Sequence, residues 1–106
     1  SRVQGLSGVD LTYLKQVFFQ LGAQIAEIDA IVSPVLDRDI SQLGIIELSI
    51  LRLSTYELKQ VLDIPYRVVL DEAIELAREF GAQDSYKYIN AVLEKVARGL
   101  RKSEMK

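Results

Sequence analysis

From Leu11 the apolar residues fall at Leu11, Leu14, Phe18, Leu21, Ile25, Ile28 and Val32. That three-and-four spacing lines one face of a helix. Asp10 stands where an N-terminal cap belongs, and Pro34 ends the helix by about Leu36. Gly22 lies on or beside the apolar face, where a missing side chain lets another helix come close. Residues 37–41 form a polar connection, with Ser41 as the expected cap of the next helix. Residues 43–62, LGIIELSILRLSTYELKQVL, are apolar on more than one face in their first half, as in the central helix of a bundle. Arg52 is the exception there. A long cation in such a place needs a carboxylate, because an unpaired buried charge is expensive, and Glu72 or Glu75 on the following helix is the expected partner.

Asp63-Ile64-Pro65 breaks the chain, and Pro65 suits the first turn of a new helix. Val69, Ala73, Leu76, Ala77 and Phe80 give that helix its inner face, with Glu72, Glu75 and Glu79 on the flanks. Gly81 stops it. Asp84 or Ser85 then caps a last helix whose inner stripe is Ile89, Val92, Leu93, Val96 and Leu100. No alternating strand pattern, internal repeat or low-complexity tract interrupts this order. The pattern predicts an all-α protein, a compact bundle of about four helices with short connections.

At 106 residues, with 49% hydrophobic and 26% charged residues, the chain fits one globular domain. Its apolar runs are short and interrupted by Glu, Arg or Lys, so no membrane span is expected. There is no secretion signal pattern, and the absence of cysteine fits the cytoplasm. Without histidine or cysteine the usual metal sites and the usual general base are missing. No phosphate-binding glycine loop or nucleophile elbow occurs. The expectation is therefore no catalytic residues, no metal, no cofactor and no enzyme activity.

A net charge of -2 argues against broad, sequence-independent nucleic-acid binding. The C-terminal stretch is locally basic, with Lys95, Arg98, Arg101, Lys102 and Lys106 against Glu104. It reads as a solvated helix end that complements the helix dipole, or else as a contact to phosphate. A sharper constellation opens the last helix: Asp84, Ser85, Tyr86, Lys87, Tyr88 and Asn90. Lys87 can meet a phosphate, Tyr86 or Tyr88 can stack on an unpaired base, and Asn90 can read a base edge, as in single-stranded RNA recognition. Each has a plainer reading too: Asp84 as a helix cap, the tyrosines as half-buried packing, Asn90 bonded to nearby backbone.

Several short pieces then stand in a telling order: Leu51-Arg52, Tyr56-Glu57-Leu58, Asp63-Ile64-Pro65, residues 71–77 (DEAIELA), Phe80-Gly81 and residues 88–93 (YINAVL). Together they resemble the second half of the NusB family of bacterial transcription antitermination factors, and a weaker likeness runs upstream through the helix from Asp10. The resemblance implies a helical RNA-binding adaptor that binds boxA-type single-stranded RNA jointly with NusE, a small-subunit ribosomal protein. Carried over by position, it implies RNA contacts at Asp84, Lys87 and Tyr88, and partner contacts at Tyr56 and Glu57.

The family's Arg-rich opening and first two helices have no counterpart in this sequence. Residues 1–106 are thus expected to form a single NusB-like domain lacking those helices, with weakened electrostatic affinity for RNA. Its uncovered apolar surface would favour a homodimer. Two other readings stand beside the adaptor: an accessory RNA-positioning domain of a ribosomal RNA cytosine methyltransferase, and a purely structural helical dimerisation module.

Overall fold

The computed structural model describes residues 15, 16, 19 and 22–105. The expected cap Asp10 and the apolar positions Leu11, Leu14, Phe18 and Leu21 lie outside the described residues. Among those described, four α-helices follow in order: α1 (Ile25–Val32), α2 (Ile45–Gln60), α3 (Tyr66–Phe80) and α4 (Ser85–Leu100). No strand occurs among them. The all-α bundle expected from the periodicity is the fold observed.

The first helix departs from expectation. Gly22 and Ala23 are helical, but Gln24 forms a turn, so α1 starts afresh at Ile25 rather than continuing unbroken from Leu11. Gly22 is exposed, and among the described residues a Cβ there would meet nothing within 4 Å, so none of the described helices approaches it closely. After Val32 the backbone tightens into a 3-10 turn, Ser33–Val35. Pro34 is harmless at this position because the first N–H groups of a helical turn have no internal partner. A second 3-10 turn, Ile40–Gln42, follows. Its cap is Asp39, whose carboxylate accepts the Ser41 N–H at 3.0 Å while the Gln42 side chain accepts the Asp39 N–H at 3.2 Å. Ser41 is thus inside a turn, and the residue that caps α2 is Gly44.

The buried positions explain the packing. Ile28 and Val32 of α1, Ile50, Leu51 and Leu58 of α2, Val69, Leu70, Ala73 and Ala77 of α3, and Ile89, Val92, Leu93, Val96 and Ala97 of α4 form one cluster. Fully burying a side chain such as Leu51 or Leu93 is worth about 1.5–3 kcal/mol. The central helix is α2, packed against all three others, but its second half is the more enclosed: every residue from Ser54 to Leu58 is buried, while Ile45 and Ile46 are exposed. In α3 the expected face holds through Ala77. Phe80 instead stands 58% exposed, and Glu72 lies inside with the stripe because it is three residues from Val69 and four from Leu76.

Polar contacts set the helix arrangement. Arg52 does not reach α3. It makes a two-pronged ion pair with Asp29 of α1, Nε to Oδ1 at 2.9 Å and Nη2 to Oδ2 at 2.8 Å. The same α1–α2 seam continues with Lys59 to Glu27 at 3.6 Å and the Gln60 amide donating to Gln24 Oε1 at 3.0 Å. Arg52 therefore belongs to the face of α2 that looks at α1, which is why its acid comes from there.

Arg101 also departs from expectation. It is neither a solvated end nor a phosphate contact, being 4% exposed. Its guanidinium donates to the carbonyls of Leu58 (2.8 Å), Ile64 (2.8 Å), Val61 (3.1 Å) and Glu57 (3.2 Å), and to the Glu104 carboxylate. The last carbonyls of a helix lack internal partners and carry the negative end of its dipole, so a buried planar cation with a fork of donors fits there. Glu104, in the 3-10 turn Lys102–Glu104, accepts the Tyr66 N–H at 2.9 Å, serving the opposite need at the start of α3. One arginine and one glutamate thus close the end of α2, the start of α3 and the end of α4 together.

Candidate functional site

The other end of the bundle gathers the start of α2, the end of α3, the start of α4 and the chain following α1. The end of α3 and the start of α4 are tied to α2 by Glu47, which accepts the Ala82 N–H at 3.0 Å. That bond holds the Glu47 carboxyl below its ordinary value of 4.5. Gly81 ends α3 here for a steric reason: a Cβ would lie 2.5 Å from Ser85 Oγ, 2.7 Å from the Ala77 carbonyl and 3.1 Å from Glu47 Oε2. With φ at -88° its backbone is ordinary.

Asp84 precedes α4 with φ 66° and ψ 4°, a left-handed conformation that Asp and Asn tolerate better than most side chains. Its carboxylate makes no capping hydrogen bond and its side chain is exposed. The expected cap is thus a conformational one. The carboxylate is left outward, where it can accept from a base amino group. Lys87 is exposed on the first turn. Tyr86 and Tyr88 are both half-buried, and each carries a cation on its ring: Arg78 lies 4.4 Å from the Tyr86 centroid, and Arg38 lies 4.5 Å from that of Tyr88. Asn90 is half-buried one turn in.

Tyr88 draws in two residues that the sequence reading passed over as part of a polar link, Asp37 and Arg38. The Tyr88 hydroxyl donates to Asp37 Oδ1 at 3.2 Å. Arg38 donates to the same carboxylate from Nε at 2.8 Å. The Arg38 hydrogen bond, with help from the Tyr88 hydroxyl, holds the Asp37 carboxyl below its usual value. Partial burial, then the neighbouring Asp37 carboxylate, push the Tyr88 phenol up. At neutral pH the trio is a carboxylate, a guanidinium and a neutral phenol, with no net charge. The only sequence signal for it was an Asp-Arg pair 50 residues upstream, indistinguishable from ordinary turn chemistry.

Asp84 and Lys87, both exposed, therefore stand with half-buried Tyr88 at the start of α4. Tyr56 and Glu57 do not join them. They lie in the second half of α2, at 4% and 2% exposure, and Glu57 is ten residues along the helix from Glu47, about 15 Å at the usual rise. Both have interactions within the chain. Side chains enclosed to this degree act on the interior, and the geometry gives no support to a direct partner contact by either. Among the described residues no group of acidic side chains is arranged to hold a metal ion, and no helix is long and apolar enough to cross a membrane.

Fold and surface together define a small helical protein whose last helix starts with an exposed cation between two half-buried tyrosines. The sequence model of the NusB family matches residues 2–98, and the chain belongs to that family. It is 53% identical over 94 residues to the transcription antitermination protein NusB of Pasteurella multocida (strain Pm70), covering 89% of this chain and 65% of that protein. It is 54% identical over 96 residues to the protein of that name from Acinetobacter baumannii (strain AYE), covering 91% and 64%. With that of Mannheimia succiniciproducens the identity is 50% over 97 residues, covering 92% and 68%. The chain thus spans about two thirds of the length of these relatives, each of which is named as a transcription antitermination protein and not as an enzyme.

Proposed function

We propose that the chain is an RNA-binding adaptor of transcription antitermination, acting in the bacterial cytoplasm. In this reading it binds a boxA-type single-stranded RNA together with a NusE-type ribosomal protein. The observation that carries it is the grouping of exposed Asp84 and Lys87 with half-buried Tyr88 at the start of α4, in a chain that is about half identical to named antitermination proteins. Lys87 meets a backbone phosphate, Asp84 accepts from a base, and Tyr88 belongs to the surface on which an unpaired base rests.

The adaptor does no chemistry. It holds RNA and protein at once, so that two modest affinities act as one through a raised effective concentration. An overall charge of -2 agrees with this division of labour, since the chain is not built to hold RNA by charge alone.

The test is a titration of labelled boxA-type RNA into a mixture of the chain and a NusE-type protein, with wild type and with Lys87→Ala combined with Tyr88→Ala. The double variant is expected to keep its helicity and to weaken RNA binding by about 10- to 100-fold. Unchanged affinity would remove the RNA site from this surface. A wild-type chain that fails to join either component would overturn the adaptor reading.

A further inference from the structure

The reading above puts Tyr88 at the RNA surface, but one face of its ring is already covered by the guanidinium of Arg38, 4.5 Å from the ring centroid. That guanidinium is fixed on two sides. Its central carbon lies over the Tyr88 ring, and one edge binds Asp37 through Nε at 2.8 Å and, more loosely, Nη2 at 3.5 Å. Asp37 is itself held by the Tyr88 hydroxyl. Even so, 46% of the Arg38 side chain remains exposed. A planar cation backed by an aromatic ring, oriented by a carboxylate and open to solvent is a ready platform for a nucleobase, since bases stack on guanidinium planes as well as on aromatic rings.

We propose that Arg38 is the residue on which an unpaired RNA base stacks, and that Tyr88 lies beneath it as a positioning residue, so that the completed stack is ring, guanidinium, base. This rests on the RNA-adaptor reading and refines it.

The charge arrangement separates this role from a phosphate contact. Asp37 already neutralises Arg38, so the pair has little net charge to offer a phosphate and releases few counterions when RNA arrives. Lys87, exposed one position before Tyr88 and with no carboxylate partner among the described residues, is the group suited to that work. Stacking and charge pairing therefore fall on different residues, and salt dependence tells them apart.

The experiment measures RNA affinity for wild type, Arg38→Ala, Arg38→Lys and Tyr88→Phe across a range of salt concentrations. The probe is a labelled boxA-type oligonucleotide with the NusE-type protein present. Arg38→Ala is expected to weaken binding by about tenfold, and in combination with Asp37→Asn, which leaves no unpaired carboxylate behind, the loss should persist at every salt concentration with the slope of log affinity against log salt unchanged. Arg38→Lys keeps the charge without the plane and should weaken binding nearly as much. Tyr88→Phe retains the ring and should lose severalfold less. A set of oligonucleotides with single abasic positions should contain one that costs wild type about tenfold and Arg38→Ala nothing further.

Wild-type affinity in Arg38→Lys, or a shallower salt slope in the charge-balanced Asp37→Asn, Arg38→Ala variant, would overturn the platform in favour of a simple charge contact. Unchanged or tighter binding by Arg38→Ala would also overturn it, showing that Arg38 merely shields Tyr88. Failure of wild type to bind RNA at all would remove the adaptor reading and this inference with it. Folding is checked in each variant by helicity, and the exposure of Arg38 makes a loss of fold an unexpected result.

Discussion

Arg101 and Arg38 make an instructive pair, because each is an arginine with a nearby carboxylate and they sit at opposite ends of one helical bundle. Arg101 is enclosed, and its donors are taken up by four backbone carbonyls and Glu104. Arg38 has one acid and one aromatic ring, and half its side chain faces water. The first arrangement leaves nothing for another molecule. The second leaves a fixed, flat cation on the surface. The difference follows from what surrounds each end: at the closed end, helix ends and starts meet and satisfy one another through Arg101 and Glu104. At the open end, α4 begins with a left-handed Asp84, an outward Lys87 and tyrosines only half covered.

The strongest way to test that contrast is to remove each arginine. Arg101→Ala strands carbonyls that lose their donors and leaves an interior gap. Its expected cost is on the order of 3–5 kcal/mol in denaturant unfolding. Arg101→Lys should recover little of this, because a single ammonium cannot span carbonyls from Glu57 to Ile64 as a planar fork does. Arg38→Ala should leave stability close to wild type, as changes at exposed pairs usually do. Equal losses in the two variants would dissolve the distinction between a closed and an open end.

How far the sequence foretold these two ends depends on how local the signals were. Pro65 at the start of α3, Gly81 at its end and the stripe Ile89, Val92, Leu93 and Val96 were all legible, since helix boundaries and apolar faces are set by residues within a few positions of each other. The grouping of Asp84, Lys87 and Tyr88 was legible for the same reason: one helix start brings them together. What escaped was every contact made across the fold. Arg101 stood in a run of cations, and nothing nearby showed that it would turn back 40 residues to the end of α2. Arg52 needed the knowledge that α1 packs on its face before Asp29, 23 positions away, could displace Glu72 and Glu75 as its partner. Tyr56 and Glu57 look amphipathic and available in sequence, yet five successive residues of α2 are enclosed there. Asp84 was legible as a helix-start residue, but its left-handed backbone was not.

That backbone supplies a smaller test confined to the open end. At φ 66° an Ala would carry the full cost of a left-handed Cβ, about 1 kcal/mol, whereas Asn tolerates the conformation and Gly adopts it freely. Asp84→Ala should therefore lower the melting temperature by about 4–8 °C while Asp84→Asn and Asp84→Gly stay close to wild type. In RNA binding the order changes: all three lack the carboxylate, so all three should be weakened if that group accepts from a base. A ranking by stability in both measurements would give Asp84 a purely conformational role and narrow the site to Lys87, Tyr88 and Arg38.

The smallest effect lies in acid, and it compares the two carboxylates that anchor the ends. Glu47 accepts the Ala82 N–H at the open end, and Glu104 accepts the Tyr66 N–H at the closed end, with Arg101 assisting. Each is held below the ordinary glutamate value of 4.5, first of all by its backbone N–H. A carboxyl lowered by folding binds its proton more readily in the unfolded chain. Its stabilising contribution is complete above the unfolded value and disappears as pH falls through the lower folded one. Stability should thus be flat near neutrality and decline below about pH 4.5. Glu47→Gln removes one of the titrating groups. Its unfolding free energy should fall below wild type near neutral pH, with the gap narrowing as both are taken into acid. Because only the open end loses its anchor, hydrogen exchange at Ala82 and the first turn of α4 should speed up while that at Tyr66 is unchanged. Equal acceleration at Tyr66 would mean that the two ends open as one unit, and that the exposed helix start depends on the Arg101 end for its order.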